Sequence, residues 1–111
     1  MTASLQTRNH KNSGRRALTA PEIVTNLAKL EDWKLTGDGP SVAIEKTFEF
    51  ANYYETISFV NALAFIANRQ NHHPDLSVYF NRCHVRFSTH DVKGISATDF
   101  ECAVAVDALL S

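Results

Sequence analysis

Asp75-Leu76-Ser77-Val78-Tyr79-Phe80-Asn81-Arg82-Cys83-His84-Val85-Arg86-Phe87 decides the fold. Leu76, Val78 and Phe80 alternate with Ser77 and Tyr79, and Cys83, Val85 and Phe87 alternate with His84 and Arg86. Period two on both sides of Asn81-Arg82 predicts a β-hairpin. Two-residue loops are the commonest hairpin connection; Asn tolerates their positive φ, while Arg in place of Gly weakens the turn signal. With that loop, Phe80 faces Cys83, Val78 faces Val85 and Leu76 faces Phe87. All six apolar residues then share one face, and a one-residue slip would turn them outward. Extending the ladder sets Pro74 opposite Thr89 and His73 opposite His90. The open end of the hairpin therefore gathers Asn71-His72-His73-Pro74-Asp75 and Ser88-Thr89-His90-Asp91, which hold three of the five histidines. Titratable groups at the end of a rigid hairpin are where a site is expected.

Working outward, Thr19-Ala20-Pro21-Glu22 opens a first helix, with Thr19 as N-cap, Glu22 as its reciprocal partner and Pro21 in the first turn. Ile23, Leu27 and Leu30 form its apolar stripe. Trp33-Lys34-Leu35 begins a strand, and Gly37-Asp38-Gly39-Pro40 is a turn. Val42 to Phe50 reads as a second strand, with Val42, Ile44, Phe48 and Phe50 toward the core and Ala43, Glu45, Thr47 and Glu49 away from it. Asn52 and Glu55 cap a long helix running to about Arg69. Its two stripes are Ile57, Val60, Ala64 and Ala67, and Phe59, Leu63 and Ile66; one covers the sheet and the second needs another partner. Gly94 breaks the chain after the hairpin. Ser96-Ala97-Thr98-Asp99 is a further capping box, and Ala97 to Leu110 reads as a helix apolar nearly all round, more easily covered by another subunit than by its own sheet. The order α-β-β-α-β-β-α predicts an α+β two-layer sandwich: a four-stranded antiparallel sheet with three helices on one face and an open second face.

At 111 residues the chain is one domain, large enough to bury roughly 65% of its unfolded surface. A net charge of −1 gives no field that favours nucleic acid or an anionic membrane. No apolar run approaches the ~18 residues of a membrane span. Cys83 and Cys102 lie far apart on apolar faces, outside any CxxC pattern, and read as reduced, buried thiols. Residues 1–17 carry Arg8, Lys11, Arg15 and Arg16 with no acidic residue. This acid-poor, hydroxyl-rich composition has the profile of a transit peptide, but the stretch is short and lacks an apolar face. It is expected to be a solvated, disordered tail preceding a domain over 18–111. His10 lies in it and is assigned nothing.

His72, His73 and His90 admit four readings: surface or capping residues, a metal site, acid–base catalysis, or a polar surface for a protein partner. Against metal, HxH and HxxxH spacings are missing, adjacent His72 and His73 point apart on an extended backbone, and no cysteine or carboxylate completes a set. For acid–base work, an imidazole exchanges its proton near pH ~6.5, and a pair divides the labour between base and acid. Pro74 biases His73 to an extended conformation. No nucleophile stands nearby, which favours proton transfer over covalent chemistry. His84, mid-strand, reads as structural or open-face.

His72-His73-Pro74-Asp75, a strand, Ser88-Thr89-His90-Asp91, then Gly94 and Ser96-Ala97-Thr98-Asp99 together resemble the pterin-4a-carbinolamine dehydratases. The resemblance extends from about Leu18 to Leu110 and includes Trp33. It implies dehydration of 4a-hydroxytetrahydrobiopterin to quinonoid dihydrobiopterin, a step that recycles the pterin cofactor of aromatic amino-acid hydroxylases. It matches His72, His73 and His90 to the family's functional histidines. His72 and His90 are then expected to transfer protons, with His73 as the orienting or alternate group. Asn71, Pro74, Ser88, Thr89, Asp91 and Asp99 are expected to line the pterin, although capping the last helix accounts for Asp99 equally well. No metal or organic cofactor is implied. Asn68 stands where the family often has Glu, and Leu76 where it often has an aromatic; both bear on substrate affinity more than on reaction type. The resemblance also implies assembly through helices as a dimer or tetramer, a cytoplasmic location, and for animal members a second role, also nuclear, as dimerisation cofactor of a homeodomain transcription factor.

Overall fold

The computed structural model describes residues 15–111; most of the basic tail, with His10, lies outside the described residues. The elements are α1 (Ala20–Leu27), β1 (Lys34–Thr36), β2 (Ala43–Glu49), α2 (Tyr53–Gln70), β3 (Asp75–Val78), β4 (Arg82–Phe87) and α3 (Ala97–Ala108). Both hairpins form, and β2 pairs with β4, so one antiparallel sheet runs in the order β1-β2-β4-β3. The architecture is the expected α+β fold, with three helices and a four-stranded antiparallel sheet.

Local chemistry explains the element boundaries. At α1, Glu22 N–H donates to Thr19 Oγ1 and Thr19 N–H donates to Glu22 Oε1. At α2, Glu55 N–H donates to Asn52 Oδ1. These bonds satisfy amides that have no partner inside the helix. Gly37, at φ +81°, permits the turn after β1: a Cβ there would lie 2.4 Å from the Ser41 carbonyl oxygen. The core joins Ile44 and Phe48 of β2, Cys83, Val85 and Phe87 of β4, Phe59 and Leu63 of α2, and Phe100, Ala103 and Val106 of α3, with Ile23, Trp33 and Ile95 around it. Cys83 and Cys102 are free and buried, as expected.

The structure departs from the sequence reading in several places. The second hairpin pairs Leu76 with Val85 and Val78 with Cys83, two residues from the predicted register. Its loop is Phe80-Asn81, closed by Tyr79 N–H donating to the Arg82 carbonyl. A two-residue shift preserves every side chain's face, so burial pattern cannot distinguish the two registers. The loop carbonyls decide it: that of Phe80 accepts from Thr56 Oγ1 and that of Asn81 from Phe50 N–H. The ladder stops at Asp75↔Arg86, so His73 does not pair with His90; Thr89 bridges Gly94 instead. On β2, Ala43 is fully buried although it points away from the helices. The Arg86 side chain passes over that stretch, donating to Glu45 Oε2 and to the Ser41 carbonyl. Finally, α3 buries Thr98, Asp99, Phe100, Cys102, Ala103 and Val106 within its own chain and leaves only Val104, Leu109 and Leu110 as exposed large apolar residues around it. The α2 stripe of Ile57, Val60, Ala64 and Ala67 is likewise thinner than expected, because Ala64 is exposed.

Candidate active site

The site begins where α2 stops. Asn71 adopts the left-handed conformation (φ 53°, ψ 43°) that commonly ends a helix. His72 N–H then bonds back to the Ala67 carbonyl at 3.0 Å, a 6→1 closure that folds the chain onto the helix end. His72 is thereby turned inward, 7% exposed, with its ring parallel to Phe87 at 9° and 6.1 Å between centroids. His73 is left facing solvent.

The second segment arrives from β4. Thr89 is buried and His90, which starts a short 3₁₀ turn, is exposed. Asp99, in the first turn of α3 and fully buried, ties the two segments together. Its Oδ1 lies 2.5 Å from His72 Nε2, and its Oδ2 accepts from Thr89 Oγ1 at 2.7 Å and from Ser96 N–H at 2.9 Å. Thr89 Oγ1 and Ser96 Oγ are also 2.7 Å apart. One carboxylate therefore collects hydrogen bonds from both histidine segments and from its own helix cap. These hydrogen bonds offset the burial of the carboxylate.

A residue assigned to the tail completes this arrangement. Arg15 Nη1 lies 2.9 Å from His72 Nδ1, and Arg15 Nη2 lies 3.5 Å from Asp91 Oδ2. Nothing local in the sequence marks Arg15: the contact spans 57 positions, and basic composition alone gives no partner.

Of the expected site residues, His72, Thr89 and Asp99 are brought into direct contact and buried; Pro74 and Ser88 are half-buried; Asn71, His73, His90 and Asp91 are exposed. Cys102 is near enough to feel Asp99: burial, then the Asp99 and Glu101 charges, push its thiol up to about 12, against a smaller opposing effect of Arg15. Such a thiol is inert as a nucleophile. Among the described residues, no group of three or more His, Cys, Asp and Glu side chains is arranged to hold a metal. His84 lies on the open face, where its Nε2 is 2.7 Å from Glu45 Oε1 and its Nδ1 is 2.9 Å from Thr47 Oγ1. It takes no part in the Asp99 cluster.

An α+β sandwich in which one buried carboxylate ties two histidine-bearing segments together defines the class. Comparison with known proteins gives the class its name. The profile of the family described as pterin 4 alpha carbinolamine dehydratase matches residues 16–109. A Paracidovorax citrulli protein, provisionally named a pterin-4-alpha-carbinolamine dehydratase, is 71% identical over 97 residues, 87% of this chain and 84% of that protein. One of the same provisional name from Chromobacterium violaceum is 52% identical over 83 residues, 75% of this chain and 73% of its own. The fold also matches the crystal structure of a transcriptional coactivator/pterin dehydratase from Brucella melitensis, with TM-score 0.81 and 26% identity over 86% of this chain and all of that one. The chain belongs to the pterin-4a-carbinolamine dehydratase family, and membership supports a dehydratase activity.

Proposed function

We propose that this chain dehydrates 4a-hydroxytetrahydrobiopterin to quinonoid dihydrobiopterin and water by histidine acid–base catalysis, recycling the cofactor of aromatic amino-acid hydroxylases. The observation that carries this reading is the double anchoring of Asp99. His72 and Thr89 bond to the two oxygens of one buried carboxylate, and their neighbours His73 and His90 are the exposed histidines among the described residues. Two solvent-facing imidazoles thus flank the segments that this carboxylate fixes, and imidazole is the side chain most often used in general acid–base catalysis.

The reaction breaks the C4a–O bond. One imidazolium gives its proton to the departing hydroxyl, which leaves as water; a neutral imidazole takes the N5 proton, and the N5–H electron pair closes the C=N bond. One proton is given and one received, so the pair is restored after the exchange between them or with solvent. In our assignment His73 and His90 do this work. That differs from the expectation that His72 and His90 share it, because both ring nitrogens of His72 are already engaged. Asn71, Pro74, Ser88 and Asp91 are assigned to the pterin-facing rim.

Stopped-flow turnover of chemically generated 4a-hydroxytetrahydropterin tests the reading. Wild type should accelerate dehydration over buffer, and His73→Ala and His90→Ala should each lose about 10²–10⁴-fold. Full turnover in both variants, or no acceleration by folded wild type, rejects it.

A second reading, as a protein-interaction module, is favoured by one observation: α2, α3 and the turn after α3 leave Tyr54, Phe65, Val104, Leu109 and Leu110 exposed. We assign this surface to self-assembly through helices as a dimer or tetramer, and, by analogy with the Brucella melitensis coactivator, to a transcription-factor partner. Histidine variants should spare that role. No helix among the described residues is long and apolar enough to cross a membrane, and a cytoplasmic location is part of the proposal.

A further inference from the structure

We propose that Arg15 is a latch across the site: it fills the gap between the two histidine segments and must withdraw when a pterin enters, so that the chain's own N-terminal strap competes with the ligand. The inference rests on the dehydratase reading for the identity of the ligand; the latch itself rests on the geometry of residues 15–18.

The strap is anchored at one end. Leu18 packs against the core, and its N–H donates to the Ile95 carbonyl at 2.7 Å. Ala17 lies over Gly94, its Cβ 3.5 Å from where a Cβ on that glycine would stand. Arg16 donates to both Glu22 oxygens, at 2.9 and 2.8 Å, which turns position 16 toward α1 and solvent. Arg15 is the next residue outward and is held differently. Among the described residues it makes no backbone–backbone hydrogen bond, and its side chain alone ties it down.

That side chain bridges the two segments. Nη1 lies 2.9 Å from Nδ1 of His72, which covers this edge of the ring, and Nη2 lies 3.5 Å from Oδ2 of Asp91, the residue after His90. A ligand that bonds to both segments must use the space the guanidinium holds. Withdrawal of Arg15 uncovers one hydrogen-bonding group from each segment at once, a ring nitrogen and a carboxylate, while the Asp99 bonds beneath them remain.

The latched state is shallow. The Asp91 side chain is 61% exposed, and an ion pair so open to water is weak and screened by salt. Arg15 Nε is buried with no hydrogen-bond partner among the described residues, and an unpaired buried donor costs free energy. A segment held by so few bonds opens locally without unfolding the domain. A ligand that binds only the open state then has its apparent affinity reduced in proportion to the fraction of chains that are open.

Binding of biopterin, a stable oxidised analogue, to the full-length chain is measured by equilibrium dialysis at low and high salt, beside stopped-flow turnover of the carbinolamine. Arg15→Ala should bind biopterin about 2–5-fold more tightly than wild type, the range set by loss of an exposed charged contact, and KM should fall by the same factor. Biopterin is uncharged at neutral pH, so salt acts on the latch and not on the ligand: wild-type binding should tighten as salt rises, and Arg15→Ala binding should not. Weaker or unchanged binding in Arg15→Ala overturns the latch. Wild-type binding that salt weakens or leaves unchanged overturns it without any variant. Tighter binding by Arg15→Ala in a protein that does not accelerate dehydration supports the latch and overturns the dehydratase reading. Turnover by wild type with KM unchanged or raised in Arg15→Ala overturns the latch alone. Failure of both proteins to bind biopterin and to turn over the carbinolamine overturns both.

Discussion

Two histidine–carboxylate pairs lie on opposite faces of the same sheet, and they differ in what surrounds them. His72 and Asp99 are 2.5 Å apart, 7% and 0% exposed; His84 and Glu45 are 2.7 Å apart, 35% and 20% exposed. The third partner differs as well. Arg15 can only donate to His72, whereas the Thr47 hydroxyl at His84 Nδ1 can donate or accept. The residues next in sequence complete the contrast. His84 stands between Cys83 and Val85, both in the core, while the Asp99 pair supports His73 and His90 at the surface. A histidine–carboxylate pair is thus not a site by its own chemistry. What sets the Asp99 pair apart is its burial and the exposed histidines beside it.

The contrast breaks most visibly at the carboxylates. Asp99→Ala strips an acceptor from His72, Thr89 and Ser96 at once, and should destabilise the fold by about 3–5 kcal/mol, the usual consequence of dismantling a buried pair. Glu45→Ala on the open face should cost about 1 kcal/mol or less. Urea unfolding of the two variants checks this, and equal losses would mean that burial does not separate the pairs. The histidines give the next largest difference. His72→Ala should reduce dehydratase turnover about 10–100-fold by releasing the support of its neighbours, whereas His84→Ala should leave turnover unchanged. Turnover that fell with His84→Ala would move the site to the other face of the sheet.

Sequence reading reached the parts of this picture that are local. Thr19 with Glu22, Asn52 with Glu55, and Ser96 with Asp99 are short-range patterns whose hydrogen bonds form as expected. The apolar face of the second hairpin was legible from period two. Its register was not, because a shift of two residues leaves each side chain on the same face and the deciding bonds come from Phe50 and Thr56, far away in sequence. Adjacent His72 and His73 had to point apart; which of them turned inward depended on the left-handed Asn71 and the closure onto Ala67. Asp99 could be read as a cap or as a pocket acid, and the structure shows the cap bond and the His72 contact on the same carboxylate. Arg15 was out of reach for a different reason: a basic residue beside a helix start carries no sign of a partner 57 positions on.

The smallest effect concerns acid. Burial by itself would push the Glu45 carboxyl up, but hydrogen bonds from Thr36, His84 and Arg86, together with the His84 charge, outweigh it and hold the group below its ordinary range. A carboxylate with a depressed folded value contributes stability that is complete above the unfolded value of about 4.3 and is lost as pH falls through the folded one. Arg86 stays charged throughout, so protonation of Glu45 is what dissolves its share of the open-face network. Urea midpoints of wild type and Glu45→Gln should therefore differ most near neutrality and converge as pH falls below about 4. The side chain is small, partly exposed and screened, so the gap should stay within the range of surface ion pairs, about 0–1 kcal/mol. Midpoint curves that run parallel from neutral pH into acid would mean that Glu45 is not held in its charged form by these three partners, and that the open-face pair is looser still than its 2.7 Å contact implies.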